Sequence, residues 1–181
     1  AIIGPIGSGK TTMFDFLTSY WKNHPDKFKI ATVKSFDSPY TKIGVIMRFM
    51  LELLEPGIHI PRGNERLYKL LEERLPKYAD KNFKIILCID EAQDLPKQTF
   101  FDIKKIHEIK GANGPCFSVI MFAKPHKRML AIQESEEIGY RTNILLLEEL
   151  EAEEVLKIAQ EKYNIRFSDL HTQRKFYQQL Q

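Results

Sequence analysis

The sequence predicts an α/β protein built on a doubly wound, parallel sheet of five strands. Short apolar runs of strand length alternate with longer segments whose apolar residues recur at helical spacing. One run, residues 83–89, is apolar almost throughout, as expected of a central parallel strand that is covered by helices on both faces. The length of 181 residues suits one domain, or one domain and part of a second.

The elements follow one another in the order that such a sheet requires. The predicted strands are residues 1–3, 28–33, 83–89, 117–122 and 143–147. The predicted helices are residues 11–23, 38–54, 64–76 and 97–110, with two more that begin at Ala152 and Ser168. We expect Asn64 to cap the third helix, Pro76 to disturb its end, and Gly111 to cap the fourth. We place a domain boundary near Leu150.

Composition restricts the class of protein only mildly. The net charge of +3, from 27 Lys+Arg against 24 Asp+Glu, permits nucleic-acid binding without arguing for it. Cys88 and Cys116 each lie in an apolar run, which predicts buried, reduced thiols rather than a disulfide or a zinc site. No apolar run approaches the roughly 20 residues that cross a bilayer, and no signal peptide opens the chain. We therefore expect a cytoplasmic location.

A glycine-rich loop follows the first predicted strand. Gly4-x-x-x-x-Gly9-Lys10-Thr11 is a complete Walker A pattern between a strand and a helix. Its glycines let backbone N–H groups turn towards phosphate, and the positive end of the helix points to the same anion. Lys10 is predicted to reach the β- and γ-phosphates, and the Thr11 hydroxyl to bind Mg²⁺. The predicted contacts to ATP are Gly4, Pro5, Ile6, Gly7, Ser8, Gly9, Lys10, Thr11 and Thr12.

An acidic pair ends the central apolar strand. Asp90 and Glu91 follow Ile89 directly, as in a Walker B motif. Asp90 is predicted to hold Mg²⁺ through its water shell, and Glu91 to orient and deprotonate the attacking water. Gln93 and Asp94 are assigned no chemistry, since Asp94-Leu95-Pro96 is expected to cap and start the following helix. The two motifs together predict a Mg²⁺-dependent ATPase.

Several segments resemble the bacterial AAA+ ATPases related to ExeA, MuB and TnsC. Residues 90–95 are similar to their Walker B, and weaker similarities cover residues 33–39, 103–108, 117–125 and 144–150. The resemblance implies an AAA+ core over residues 1–150 with a truncated first strand, and the beginning of a helical lid over residues 151–181. It also implies a homo-oligomer, either a ring or a filament.

The same resemblance adds two candidate site residues. Lys124 stands where the family has a sensor of the γ-phosphate, although a small polar residue is usual there. Arg141 precedes the last strand, where the family places an arginine finger that acts on a neighbouring subunit. The residues that bind adenine in the family, and the arginine in its lid helix, have no counterpart in this sequence. Arg174 lies upstream of the position at which the lid arginine is expected. We therefore expect the chain to be a piece of a longer protein.

Three functions remain open on these grounds. The first is a DNA-linked assembly ATPase like MuB or TnsC, which forms ATP-dependent oligomers on duplex DNA and passes a target site to a transposase. Its basic surface would draw on Lys104, Lys105, Lys110, Lys124, Lys127 and Arg128. The second is an ExeA-like secretion ATPase, with its membrane segment outside this sequence. The third is a signalling switch with little ATP turnover, which the Asp90-Glu91 pair disfavours. A DEAx-box helicase is also disfavoured, because such helicases have Ser-Ala-Thr after the next strand, where this sequence has Phe122-Ala123-Lys124.

Overall fold

A computed structural model describes residues 1–34, 41–127, 129, 134, 142–166, 168–169, 171–172 and 174–175. The chain divides into two compact units, Ala1–Leu147 and Glu148–Gln181. The first unit contains the sheet and four of the helices named below. The second contains the helix Ala152–Tyr163, whose first turn is closed by a capping box between Glu151 and Glu154.

The sheet of the first unit has five parallel strands, which confirms the predicted fold class. The strands are β1 (Ile2–Ile3), β2 (Phe28–Val33), β3 (Lys84–Ile89), β6 (Phe117–Ala123) and β7 (Leu145–Leu146), in the spatial order β2-β3-β6-β1-β7. The register pairs Ile30 with Ile86, and Ile85 with Phe117. Because all five strands are parallel, the segments that follow β1, β3 and β6 lie at one edge of the sheet.

Helices of the first unit cover both faces of this sheet. They are α1 (Lys10–Lys22), α2 (Ile43–Leu54), α3 (Asn64–Ala79) and α4 (Lys97–His107), and the helix of the second unit is α5 (Ala152–Tyr163). On one face, Phe14 of α1 packs with Cys88 and Phe122. On the other face, the alternate β3 residues Ile85, Leu87 and Ile89 belong to one buried cluster with the apolar residues of α2, α3 and α4. The alternation of side chains along β3 therefore supplies both halves of the core.

Several boundaries differ from the prediction for local reasons. Helix α4 ends at His107, because Lys110–Gly111 (β4) pairs antiparallel with Gly114–Pro115 (β5) in a small hairpin. Gly111 is thus a strand residue and not a helix cap. Pro76 lies within α3, which continues to Ala79, and the residue preceding that helix is Gly63 rather than a capping Asn64.

The described part of the chain also tests the predictions for the cysteines, the last strand and the start of the second helix. Cys88 and Cys116 are free and buried, as predicted. Strand β7 is shorter than the predicted 143–147. Among the residues that the structure describes, no helix has the length and apolar character needed to span a bilayer. The predicted start of the second helix at Ser38 falls outside the described residues, and α2 begins at Ile43.

Candidate functional site

The loop between β1 and α1 has the backbone that the Walker A pattern requires. Gly7 and Gly9 have φ values of 89° and 82°, in the left-handed region that favours glycine. A side chain at Gly4 would meet the Ser8 hydroxyl and would lie 2.9 Å from Leu147. The Gly4 N–H donates to the carbonyl of Ala123 at 3.1 Å, which ties the loop to the end of β6.

Lys10 turns its ammonium group back to this loop. It is only 7% exposed, and its Nζ donates to the Pro5 carbonyl and, at 3.4 Å, to the Ser8 hydroxyl. The Ser8 hydroxyl in turn donates to the Pro5 carbonyl at 3.0 Å. A cation, the left-handed glycines and the N-terminus of the 13-residue helix α1 therefore converge on one small region. This combination suits a phosphate group.

The other predicted contacts lie on the outer surface of the loop. Ile6 is 79% exposed, and the side chains of Thr11 and Thr12 are exposed in the first turn of α1. Pro5 is partly buried and contributes its backbone carbonyl to the hydrogen bonds described above. The structure thus brings residues 4–12 together as one continuous loop and helix start.

The acidic pair lies where β3 ends. The Asp90 N–H donates to the Val33 carbonyl at 2.9 Å, and the Asp90 Oδ1 accepts the Glu91 N–H at 2.9 Å. Asp90 is 9% exposed, and this burial raises its pKa, an effect that the Glu91 hydrogen bond partly opposes. A divalent cation beside Asp90 would restore the ionised form by direct charge attraction.

Glu91 has an unusual backbone for a residue with a long side chain. Its φ and ψ are 49° and 44°, in the left-handed region, and it precedes a 3₁₀ turn formed by Ala92–Asp94. Such a conformation costs on the order of 1–3 kcal/mol for a residue other than glycine and is concentrated at functional sites. Burial by itself would raise the pKa of Glu91, but hydrogen bonds from Gln93 and Lys124, and the charges of Lys124 and Lys10, bring that pKa below its usual value.

Gln93 and Lys124 form a connected group with Glu91. The Gln93 Nε2 donates to the Glu91 Oε2 at 2.6 Å, and the Lys124 Nζ lies 3.2 Å from the same oxygen. The Gln93 Oε1 accepts the backbone N–H of Lys124 at 3.0 Å. Lys124 directly follows β6, so these contacts connect the ends of two neighbouring strands.

The sequence assigned no chemistry to Gln93, and the expected capping by Asp94 is wrong. Helix α4 begins after Pro96 without a side-chain cap, and the Asp94 carboxylate instead lies 3.2 Å from the Gln93 Nε2. No spacing rule marks Gln93, because its partner Lys124 is 31 residues away. The signal that the sequence contained was an amide two residues after the acidic pair.

The residues fit ATP and Mg²⁺ on their donor chemistry. The loop offers backbone N–H groups and Lys10 to phosphate, while Thr11 and Asp90 offer a hydroxyl and a carboxylate oxygen, the ligand types that Mg²⁺ prefers. The Gly4 N–H donates to the Ala123 carbonyl, and Gln93 accepts the N–H of Lys124, so the loop and the segment of the acidic pair both adjoin the end of β6. These features make one candidate site at the carboxyl edge of the sheet.

Part of the prediction concerns residues of which the structure says nothing. Arg141, the candidate arginine finger, and Arg128, part of the suggested basic surface, fall outside the described residues. Of the lysines in that surface, Lys104 and Lys105 lie in the last turn of α4, and Lys110 is exposed on β4. Lys105 lies 3.7 Å from the carboxylate of Asp102.

The sequence belongs to a known family. A family model described as an AAA domain matches residues 1–130, which include both motifs of the site. The chain is therefore a member of the AAA domain family, and its sheet and loop have the fold of the P-loop AAA+ ATPases. No curated protein matches the chain.

Solved structures share this fold at low sequence identity. The chain is similar to the Aeropyrum pernix ORC2 protein in its ADPNP-ADP complexes (TM-score 0.68, 17% identity, 90% of this chain and 45% of that one). It is also similar to Cdc6p from Pyrobaculum aerophilum (0.66, 15%, 90% and 42%) and to Drosophila ORC bound to DNA (0.62, 14%, 90% and 40%). The chain spans less than half the length of each, and the similarity establishes the fold.

Proposed function

We propose that the chain is the nucleotide-binding core of a Mg²⁺-dependent ATPase. The observation that carries this proposal is the position of the Lys10 loop and the Asp90-Glu91 pair at one edge of the sheet, where both segments are hydrogen-bonded to the end of β6. Residues 4–12 would hold the phosphates, and Thr11 and Asp90 would hold Mg²⁺, which supplies charge neutralisation at the β- and γ-phosphates. The solved relative with bound ADPNP and ADP supports nucleotide binding by this fold.

Glu91 would act as the general base. Its carboxylate, with a pKa below the usual value, accepts a proton from a water molecule. The water oxygen forms the new bond to the γ-phosphorus, the bond to the β–γ bridging oxygen breaks, and the products are ADP and inorganic phosphate. Lys10 stabilises the negative charge on the phosphate oxygens during this transfer.

We further propose that the ATPase works as an oligomer on duplex DNA. The similar structures include DNA complexes, among them the Aeropyrum pernix ORC1 protein in complex with DNA and Drosophila ORC bound to DNA. The sequence resemblance to MuB and TnsC adds a role in selecting the target of a transposase. Under this proposal Arg141 would complete the site of a neighbouring subunit, and Lys124 would contact the γ-phosphate.

The first experiment measures ATP turnover by the protein with and without duplex DNA, for the wild type, Glu91→Gln and Glu65→Gln. Glu65 lies exposed in the first turn of α3, so its variant is a matched control for the loss of one carboxylate. We expect Glu91→Gln to reduce turnover about a hundredfold or more while a fluorescent ATP analogue still binds. Glu65→Gln should behave as the wild type.

Three results separate the parts of this proposal. Wild-type turnover in Glu91→Gln would show that Glu91 is not the base. If DNA changes neither the rate nor the sedimentation of the ATP-bound Glu91→Gln protein, the DNA role is wrong, and the secretion-ATPase alternative gains support. If DNA stimulates hydrolysis and Glu91→Gln accumulates as an ATP-bound oligomer on DNA, the assembly-ATPase proposal is supported.

A further inference from the structure

We propose that Gln93 is a positioning residue that holds the Glu91 carboxylate in its working orientation. The contact is direct, since the Gln93 Nε2 lies 2.6 Å from the Glu91 Oε2. This inference rests on the proposed function, because it assigns Glu91 the role of general base. It adds a residue outside both Walker patterns to the hydrolytic site.

The orientation of the Gln93 amide follows from its second partner. A backbone N–H can only donate, so the atom facing the Lys124 N–H at 3.0 Å must be the Gln93 oxygen. The amide nitrogen is then turned towards Glu91, where an ionised carboxylate can only accept. Both ends of the amide therefore satisfy partners that cannot exchange roles, and the side chain has one favourable orientation.

Burial makes this contact stronger than the neighbouring ion pair. Gln93 is 6% exposed, so little water competes for its hydrogen bonds. The Lys124 side chain is 41% exposed, and an ion pair of that exposure is screened and contributes little. Of these two groups, Gln93 is thus the one that fixes the Glu91 carboxylate.

The backbone of Glu91 explains why its side chain needs such support. The left-handed conformation at φ 49° aims the Cα–Cβ bond in a direction set by the turn, and three further torsions separate Cβ from the carboxylate oxygens. A base must lie within hydrogen-bond reach of its water to be effective. Because Gln93 also binds the backbone after β6, it fixes the Glu91 carboxylate relative to two strands and not only to its own turn.

The test compares Gln93→Glu with Gln93→Met. The glutamate keeps an acceptor for the Lys124 N–H but places an oxygen where the donor to Glu91 was. The methionine removes the hydrogen bonds to Glu91, to Asp94 and to the Lys124 N–H at similar volume. Gln98→Glu is the matched control, because Gln98 is exposed on α4 and contacts Asp102. Steady-state kinetics, binding of a fluorescent ATP analogue and thermal unfolding are measured for each variant, with Glu91→Gln alongside.

We expect both Gln93 variants to lower kcat about tenfold or more, with KM and analogue affinity within about twofold of the wild type. A purely structural role would instead lower the melting temperature and change binding together with kcat. A folded Gln93→Met protein with the kcat of the wild type would overturn the inference. This result would be sufficient even if Gln93→Glu did not fold.

The Glu91→Gln protein, measured in parallel, distinguishes a failure of the positioning role of Gln93 from a failure of the general-base role of Glu91. If Glu91→Gln loses turnover but the Gln93 variants do not, Glu91 remains the base and only the positioning role is wrong. If Glu91→Gln turns over normally, the proposed function fails and the positioning role fails with it.

Discussion

Among single residues, Lys10 connects the sequence pattern to the chemistry most directly. Its flexible chain of four methylene groups lets the ammonium group fold back over the loop, where it contacts the Pro5 carbonyl and the Ser8 hydroxyl. These neutral oxygens are weaker partners for an ammonium than phosphate oxygens, which carry full charge. Phosphate oxygens can therefore replace these loop oxygens as partners of the Lys10 ammonium group, because no ion pair within this loop, which the structure describes in full, has to be broken first.

Replacing Lys10 by alanine should weaken nucleotide binding. Loss of a charge-assisted contact costs about 1.5–3 kcal/mol, so we expect the Kd for ATP to rise about tenfold or more. Titration of a fluorescent ATP analogue measures this change, with Lys22→Ala at the opposite end of α1 as control. Equal affinity in the Lys10 and Lys22 variants would contradict the assigned role.

Cys88 should make the fold sensitive to alkaline pH. Burial, and then the charge of Asp90, raise the pKa of its thiol to about 12. An unfolded cysteine has a pKa of about 8.5, so above that pH the unfolded chain has lost a proton that the folded chain keeps. The folded state then loses stability as pH rises, by up to about 1.4 kcal/mol per pH unit.

Denaturant unfolding at pH 7.5 and pH 10 tests this linkage. The free energy of unfolding should fall more steeply with pH in the wild type than in Cys88→Ala, which lacks the titrating thiol. Lysines and tyrosines also titrate in this range, but they are common to both proteins. Parallel pH slopes in the two proteins would show that Cys88 is not responsible.

The core of the site was accessible to sequence reasoning because its residues lie in short, contiguous motifs. Lys10, Asp90 and Glu91 are each identified by neighbours within a few positions and by an adjoining apolar strand. Gln93 was not accessible in this way. Its hydrogen bonds depend on the close approach of β3 and β6, which only the folded sheet establishes.

For whole elements, the glycine loop gives a prediction with an internal control. Gly7 and Gly57 have φ values of 89° and 80°, and at both positions an added Cβ would meet no atom within 4 Å. Alanine at either position should therefore cost a similar amount, about 1–2 kcal/mol, through the left-handed backbone alone. Only Gly7→Ala should also weaken nucleotide binding, because Gly57 lies in the loop after α2.

Chemical denaturation and nucleotide titration of both variants separate these two effects. Equal losses of stability with a loss of affinity confined to Gly7→Ala would support the role of the loop. Reduced affinity in Gly57→Ala as well would mean that general destabilisation, and not the loop, controls binding.

The spacing of apolar residues was enough to tell helices from strands, but it did not predict where several of the helices end. The run 97–110 is helical only to His107, because the hairpin β4–β5 competes for Lys110 and Gly111. Pro76 was expected to disturb α3, yet the helix continues for three more residues. One missing hydrogen bond near a helix end is a small cost beside the burial of Leu67, Leu71 and Leu75.

At the scale of the whole molecule, charge sets how any DNA binding should depend on salt. A net charge of +3 is small, so binding would rely on a local group of lysines rather than on the overall field. If only two lysines contact phosphates, the affinity for duplex DNA should fall about tenfold between about 50 and 200 mM salt. Because such contacts do not involve the bases, the affinity should depend little on base sequence. Fluorescence anisotropy with labelled duplexes of different sequence measures both properties.

Two charge reversals locate the surface involved. Lys110→Glu, on the exposed strand β4, should weaken DNA binding and reduce its salt dependence. Lys69→Glu, on α3 and outside the suggested surface, should change neither. Equal effects of the two reversals would indicate a non-specific response to net charge.

The left-handed backbone at Glu91 also bears on how such a protein could be made more heat-resistant. Glycine and asparagine tolerate that conformation far better than glutamate does. A directed-evolution screen that rewards survival of heating alone would therefore tend to replace Glu91, and would give up the proposed ATP turnover for thermostability. A screen that also demands ATP consumption would keep the glutamate and collect its gains elsewhere in the chain.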